Sequence, residues 1–80
     1  MNPDDEDHET LDLRGLKCPL PALMAKRALL RSPPGALILV LADDPLAAID
    51  IPHMCHQEEF EVANVEKNGN TSRITIKRLK

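Results

Sequence analysis

Aromatic side chains are almost absent from this chain. Its 80 residues include one Phe and neither Tyr nor Trp, so almost nothing is available to stack on nucleic-acid bases. There are two cysteines, which is too few for the disulfide framework of a small secreted protein. Both are therefore expected to be thiols that serve either packing or chemistry.

Long apolar stretches are missing as well. The longest comprises residues 36–42, whereas a membrane-spanning helix needs about 20 apolar residues. No basic segment precedes an apolar run near the first residue, so no secretory signal is expected. A chain of 80 residues also leaves no room for a cofactor-binding domain. These absences predict a cytoplasmic, single-domain protein with no cofactor and no contact with a membrane.

Negative charge is concentrated at the start of the chain. Five of the 13 acidic residues lie in the first ten positions, whereas residues 11–80 hold eight acidic and ten basic side chains. An acidic, polar leader of this kind is typical of disorder. We therefore expect a disordered acidic tail over residues 1–10 and a mildly basic folded domain over residues 11–80.

Hydrophobic periodicity and turn residues predict six elements in the order β-α-β-α-β-β. Asn68-Gly69-Asn70 is a strong hairpin signal between the last two strands. This order predicts an α+β fold, a two-layer α/β sandwich with two helices on one face of a mixed four-stranded sheet. The four strands are expected at residues 11–13, 36–41, 60–67 and 73–79.

The first helix is expected to begin where Pro19 and Pro21 follow Cys18, because proline is tolerated in the first helical turn. It should end before Pro33. A helical wheel separates a buried side from an exposed side that begins beside Cys18. The buried side carries Ala22, Ala25, Ala28 and Leu29, and the other side carries Leu20, Leu23 and Leu30 among Lys26, Arg27 and Arg31.

The second helix is predicted to begin with Asp44 as its N-cap and Pro45 at its first position. Pro52 should break or kink this helix, since an internal proline removes a hydrogen bond. Asp50 would then cap a continuation that runs through Glu58. No chemical role is assigned to Asp44 or Pro45.

Cys18 is the candidate catalytic residue, because the first turn of a helix offers free N–H groups and partial positive charge. A thiolate is stabilised there, so the pKa of Cys18 is expected to be lowered. Lys17 beside it adds positive charge, and Pro19 and Pro21 hold the cysteine at the surface. The alternative is a cysteine that merely caps the helix and packs.

The surroundings of Cys18 in the sequence limit the kind of nucleophile it can be. A hydrolase needs a base on the thiol, and local sequence places none of the three histidines against Cys18. Pro21 stands where a redox motif would have its second cysteine. A lone activated sulfur on a small domain favours a carrier that accepts a sulfur atom as a persulfide and passes it on.

Three segments, residues 11–21, 42–45 and 50–55, resemble the TusA/SirA-like sulfur-carrier family. The resemblance extends over nearly all of residues 10–80, and its most specific part is the Cys-Pro-x-Pro motif that begins at Cys18. It implies a βαβαββ sandwich in which Cys18 bears the persulfide. It also implies a cysteine desulfurase or rhodanese-type sulfur donor and a downstream acceptor protein, as in tRNA thiolation, molybdenum-cofactor maturation or sulfur oxidation.

Leu20 departs from the family pattern, since relay members that serve tRNA thiolation typically have an acidic residue between the two prolines. The resemblance therefore implies sulfur carriage more directly than it implies tRNA thiolation. Leu20 and Leu23, together with Lys26 and Arg27, form a hypothetical partner-docking surface that is more apolar than the family pattern.

The second cysteine and its neighbours allow other interpretations. Cys55 is expected to pack in the core, and a resolving role toward Cys18 stays open. His53, Cys55 and His56 could be read as metal ligands with Cys18, but their spacing matches no zinc module and two of them point to different sides of a helix. No metal site is therefore expected.

Two other functional classes remain. Basic residues near the end of the chain could bind RNA, although the same pattern is typical of an edge strand protected by charge. A regulatory protein-interaction module with a structural Cys18 is the other alternative. Two experiments distinguish these classes from a carrier: replacement of Cys18 with serine, and measurement of the alkylation rate of Cys18 in the wild-type protein. The basic residues are Arg73, Lys77, Arg78 and Lys80.

Overall fold

The computed structural model describes residues 8–79 and contains the six elements in the predicted order. Two helices pack on a mixed four-stranded sheet, which confirms the predicted α+β sandwich. The elements are β1 (His8–Asp12), α1 (Leu20–Arg31), β2 (Leu37–Ala42), α2 (Ala47–Glu58), β3 (Phe60–Asn68) and β4 (Thr71–Arg78).

Strand β1 begins earlier than predicted. It starts at His8 and pairs in parallel with β2 from His8 opposite Leu37 to Asp12 opposite Leu41. The last three residues of the predicted tail therefore belong to the sheet, because main-chain pairing does not require an apolar side chain at each position. Residues 1–7 of that tail lie outside the described residues.

The strand order β1-β2-β4-β3 places β4 inside the sheet. The prediction that the last strand lies at an edge is wrong, since β4 pairs antiparallel with β2 on one side and β3 on the other. A tight hairpin around Gly69 joins β3 to β4, and Gly69 has a φ of 64° that suits such a turn. The hairpin signal alone does not say which of its two strands lies inside.

The core lies between the helices and one face of the sheet. Ile38 and Val40 of β2 stand opposite Ile76 and Ile74 of β4, and all four are buried. Alternate residues of a strand share a face, so this row forms the floor on which both helices pack. The buried apolar cluster consists of Leu13, Ala25, Leu29, Ile38, Val40, Ala42, Ala47, Ile51, Met54, Cys55, Ile74 and Ile76.

Helix α1 packs against the sheet through the side that the helical wheel predicts to be buried. Ala25 and Leu29 are fully buried, whereas Leu20, Leu23 and Leu30 are exposed. The small side chain of Ala25 allows the helix axis to lie close to the sheet. Pro21 is also buried, so it contributes to packing as well as to the start of the helix.

Helix α2 is one helix that runs from Ala47 to Glu58 with Pro52 inside it. The predicted break before Pro52 is therefore wrong. The predicted start is wrong as well, because the helix begins at Ala47 with Leu46 as its N-cap, and Asp44 and Pro45 precede it. Burial of Ile51 and Cys55 on either side of the proline holds the helix against the sheet, and this packing offsets the missing backbone hydrogen bond. Neither helix within residues 8–79 is long and apolar enough to cross a membrane.

Candidate functional site

Cys18 lies in the loop that joins β1 to α1, and its free thiol is exposed. The loop leaves the sheet where the N–H of Leu13 donates to the carbonyl of Leu41 at 2.8 Å, and it turns at Gly15, whose φ is 89°. The peptide bond between Cys18 and Pro19 is cis. Because α1 begins at Leu20, Cys18 lies just before the helix, as the sequence predicted.

Two carboxylates from the turn between β2 and α2 hold this loop. The N–H of Gly15 donates to Asp43 Oδ1 at 2.9 Å, and the N–H of Cys18 donates to Asp44 Oδ2 at 2.6 Å. The other oxygen of Asp44 accepts a hydrogen bond from the N–H of Leu46 at 2.9 Å. Asp44 therefore anchors the cysteine loop to the turn that precedes α2, a role that its place in the sequence does not predict.

Asp50 is the side chain in direct contact with the sulfur. The Sγ of Cys18 donates a hydrogen bond to Asp50 Oδ2 at 2.7 Å. Asp50 belongs to the first turn of α2 rather than capping a separate helical segment, so that prediction is wrong. The two residues are 32 positions apart, and no local sequence pattern relates them.

The expected lowering of the pKa of Cys18 is wrong, because the contact with Asp50 raises it. The hydrogen bond that the thiol donates to Asp50 is the largest cause, followed by partial desolvation and by the negative charges of Asp50 and Asp44. A carboxylate that accepts the thiol proton stabilises the neutral form and repels the anion. The empty cysteine is therefore a protonated thiol near neutral pH, and rapid alkylation is not expected of it.

The start of α1 has few donors left to stabilise an anion. Pro19 and Pro21 have no N–H, and the N–H of Leu20 donates to the carbonyl of Lys17 at 2.9 Å. The prolines that predict the helix start thus remove the backbone N–H groups that were expected to lower the pKa of Cys18.

Asp44 itself stays ionised. Hydrogen bonds from the N–H groups of Leu46 and Cys18 lower the pKa of its carboxyl group, and the positive charge of Lys17 lowers it further. Lys17 lies beside Cys18 in the chain, so the site brings one lysine and two carboxylates to the neighbourhood of the sulfur.

Exposed apolar side chains lie near the starts of both helices. Leu20 and Leu23 of α1 are 44% and 47% exposed, and Leu46 and Ile49 at the start of α2 are 51% and 65% exposed. Leu46 is joined to Cys18 through Asp44, and Ile49 precedes Asp50. We call these four leucine and isoleucine residues the apolar collar. Its α2 half was not predicted, because nothing in the sequence shows that α2 begins beside Cys18.

The basic members of the predicted docking surface differ in their surroundings. Lys26 Nζ lies 3.3 Å from Glu58 Oε2 of α2, so this lysine links the two helices. Arg27 is exposed.

The other candidate residues belong to α2. His53 and His56 are exposed, Cys55 is buried, and burial raises the pKa of Cys55 to about 11. Core packing of Cys55 is thus confirmed. Within residues 8–79 no three His, Cys, Asp or Glu side chains come together as metal ligands do.

The basic residues of β4 do not form one surface. Arg73 stands opposite Leu41, and Lys77 stands opposite Leu37, on the sheet face away from the helices. Arg78 instead donates hydrogen bonds to the carbonyls of Leu30 and Ser32. Arg78 therefore fastens the end of α1 to the sheet, while Lys80 lies outside the described residues.

Comparisons with known proteins agree with this geometry. A family model described as sulfurtransferase TusA matches residues 9–78 of the chain. The crystal structure of the SirA-like protein from Desulfitobacterium hafniense is similar in fold, with a TM-score of 0.76 and 26% sequence identity over 89% of this chain and 97% of that chain. The family match includes the cysteine loop and the start of α2.

Proposed function

The chain belongs to the sulfurtransferase TusA family, and on that basis we propose that it carries sulfur as a persulfide on Cys18. The observation that supports Cys18 as the carrier is its placement. It is a free, exposed thiol just before α1, whereas the other cysteine is buried. A partner protein can reach the sulfur of Cys18 and cannot reach that of Cys55.

The transfer needs no oxidant or cofactor. The Sγ of Cys18 attacks the terminal sulfur of a persulfide on the donor, and the S–S bond of the donor breaks. The electron pair of that bond stays on the donor sulfur, which leaves as a thiolate and takes up the proton that Cys18 releases. A new S–S bond on Cys18 holds the transferred sulfur, and the same exchange in the next step delivers it to the acceptor.

The donor in this proposal is a cysteine desulfurase or a rhodanese-type protein, and the acceptor is a second, downstream protein in the cytoplasm. Pro19 and Pro21 hold the loop rigid, and Lys17 places a positive charge near the loaded sulfur. Leu20 and Leu23 of the collar, with Arg27 beside them, contact the partner. An apolar Leu20 favours partners that present an apolar surface, and tRNA thiolation is one pathway to test among several.

Intact-protein mass spectrometry tests the proposal. The wild-type protein is incubated with a cysteine desulfurase and cysteine, and separately with a rhodanese supplied with thiosulfate. We expect one added sulfur atom that a reductant removes. The addition should persist in Cys55→Ser and disappear in Cys18→Ser, because the buried Cys55 is not accessible to a protein donor.

The Cys55→Ser variant is the matched control, since it removes the same chemical group from the other cysteine. Sulfur that persists in Cys18→Ser, or no sulfur on the wild-type protein with either donor, would contradict the proposal. Circular dichroism of Cys18→Ser should match the wild type, because the Cys18 side chain is exposed and outside the core.

A further inference from the structure

A sulfur carrier must release its sulfur as well as accept it. Cys18 Sγ lies 2.7 Å from Asp50 Oδ2. The interaction between these two groups differs between the empty and the loaded carrier. In the empty state the thiol has a proton to donate to the carboxylate. A persulfide is more acidic than a thiol, so the loaded sulfur is an anion that has no proton to donate and that meets a negative charge.

We infer that Asp50 biases the carrier toward its empty state, because its carboxylate accepts a hydrogen bond from the thiol and repels the persulfide. This inference rests on the proposed sulfur-carrier function. The reaction it acts on is balanced: the thiol of Cys18 and a persulfide anion give the persulfide anion of Cys18 and a free thiol. Asp50 stabilises the left side of this exchange and destabilises the right side.

The charges around the sulfur favour this bias. Asp50 faces it from α2, and Asp44 from the preceding turn adds a second negative charge. The first turn of α1 contributes no acidic side chain, and Lys17 is the nearby positive charge on the loop itself. Among residues 8–79, the negative charges of Asp50 and Asp44 thus act on the sulfur, and Asp50 accepts a hydrogen bond from it.

Repulsion also affects where the loaded sulfur points. The terminal sulfur extends the side chain by one bond, and the negative charge of Asp50 directs it away from α2. Because the Cys18 side chain is exposed, a terminal sulfur directed away from α2 stays accessible to a docked partner. Asp50 thereby acts on both the energy and the direction of the persulfide.

The test compares wild type, Asp50→Asn and Asp50→Glu, with Glu58→Gln as the matched control. Glu58 lies at the far end of the same helix and does not contact the cysteine, so its variant loses the same charge elsewhere. Each protein is equilibrated with glutathione persulfide and glutathione near neutral pH, and the loaded fraction is measured by intact mass. Removing one adjacent charge should raise the equilibrium constant for loading about three- to tenfold in Asp50→Asn.

Alkylation of Cys18 by iodoacetamide supplies a second measurement that needs no sulfur transfer. Its pH profile should move to lower pH in Asp50→Asn, with a rate near neutral pH about three- to tenfold above wild type, because the amide no longer repels the thiolate. Asp50→Glu should restore most of the wild-type profile, and Glu58→Gln should match wild type. A role of Asp50 in stability alone would not move this profile.

The outcomes separate the two proposals. Loading of wild type with an unchanged or lower equilibrium constant in Asp50→Asn would overturn the inference and leave the sulfur-carrier function standing. An unchanged alkylation profile would overturn the inference as well. Failure of wild type to load under every condition would overturn the proposed function and, with it, the inference.

Discussion

Asp44 uses both oxygens of its carboxylate to join two segments of the chain. One oxygen accepts the N–H of Cys18 and the other accepts the N–H of Leu46. Hydrogen bonds to an ionised acceptor are stronger than neutral ones, so a single side chain fixes the cysteine loop and the turn before α2. The sequence predicts Asp44 as the N-cap of α2, whereas in the structure Asp44 lies in the preceding turn and binds the N–H groups of Leu46 and Cys18.

We expect Asp44→Ala to release the cysteine loop without unfolding the domain. The amide of Cys18 loses its acceptor, so its hydrogen exchange measured by NMR should accelerate at least tenfold, while amides of β2 and β4 keep wild-type protection. Asp43→Ala is the matched control and should affect Gly15 instead. Unchanged exchange of the Cys18 amide in Asp44→Ala would contradict the assignment.

The same anchor has a defined dependence on pH. The pKa of Asp44 lies below its ordinary value of 3.8, so its stabilisation is complete above that value and is lost as the pH falls through the lowered pKa. In acid the Cys18 amide should therefore lose its protection in wild type as it does in Asp44→Ala.

In helix α2, packing against the sheet overrides the local effect of a proline. Pro52 removes the bond to the carbonyl four residues earlier, and on sequence alone this predicts a break. The helix nevertheless continues because Ile51 and Cys55 are fully buried against the sheet. An apolar side chain of this size contributes roughly 1.5–3 kcal/mol when it is buried, which is comparable to the penalty for the proline.

Replacing Pro52 with alanine should stabilise the protein, because it restores the missing hydrogen bond in a helix that already exists. We expect the free energy of unfolding in urea to rise by about 1–2 kcal/mol, after allowing for the greater freedom of the unfolded chain. Pro45→Ala is the control, since Pro45 lies in the turn before the helix, and it should lower stability by less than about 1 kcal/mol. A less stable Pro52→Ala protein would contradict this account of α2.

The molecule as a whole is a flat body of 31 × 29 × 17 Å. Both helices cover one face of the sheet, and their starts meet at Cys18 and Asp50. The apolar collar lies near the starts of both helices, and in the proposed function a protein partner approaches the sulfur at this end of the helical layer.

Docking through the collar predicts a difference between two exposed leucines of α1. Leu23 and Leu30 are 47% and 50% exposed, but Leu30 lies about 10 Å further along the helix axis. Leu23→Glu should reduce the second-order rate of persulfide loading from the donor about tenfold, because it places a charge in the contact surface. Leu30→Glu should remain within about twofold of wild type; equal effects would contradict docking at the collar.

Local patterns in the sequence predict much of this structure. Paired prolines, Asn68-Gly69-Asn70 and apolar periodicity correctly predict the element order, the buried side of α1 and an exposed Cys18 before that helix. Each of these features depends on neighbouring residues, because backbone preferences and the wheel of a single helix act over a few positions. The resemblance to the family depends on three such local segments, residues 11–21, 42–45 and 50–55.

The features that required the tertiary structure join distant parts of the chain. The place of β4 inside the sheet, the persistence of α2 through Pro52 and the contact of Cys18 with Asp50 all depend on packing between elements. The pKa of Cys18 is the clearest case: helix position predicts a lowered value, and a carboxylate 32 residues away raises it. Electrostatic energy depends on distance in space, so the sequence predicts which residue is the nucleophile, while the fold decides its charge.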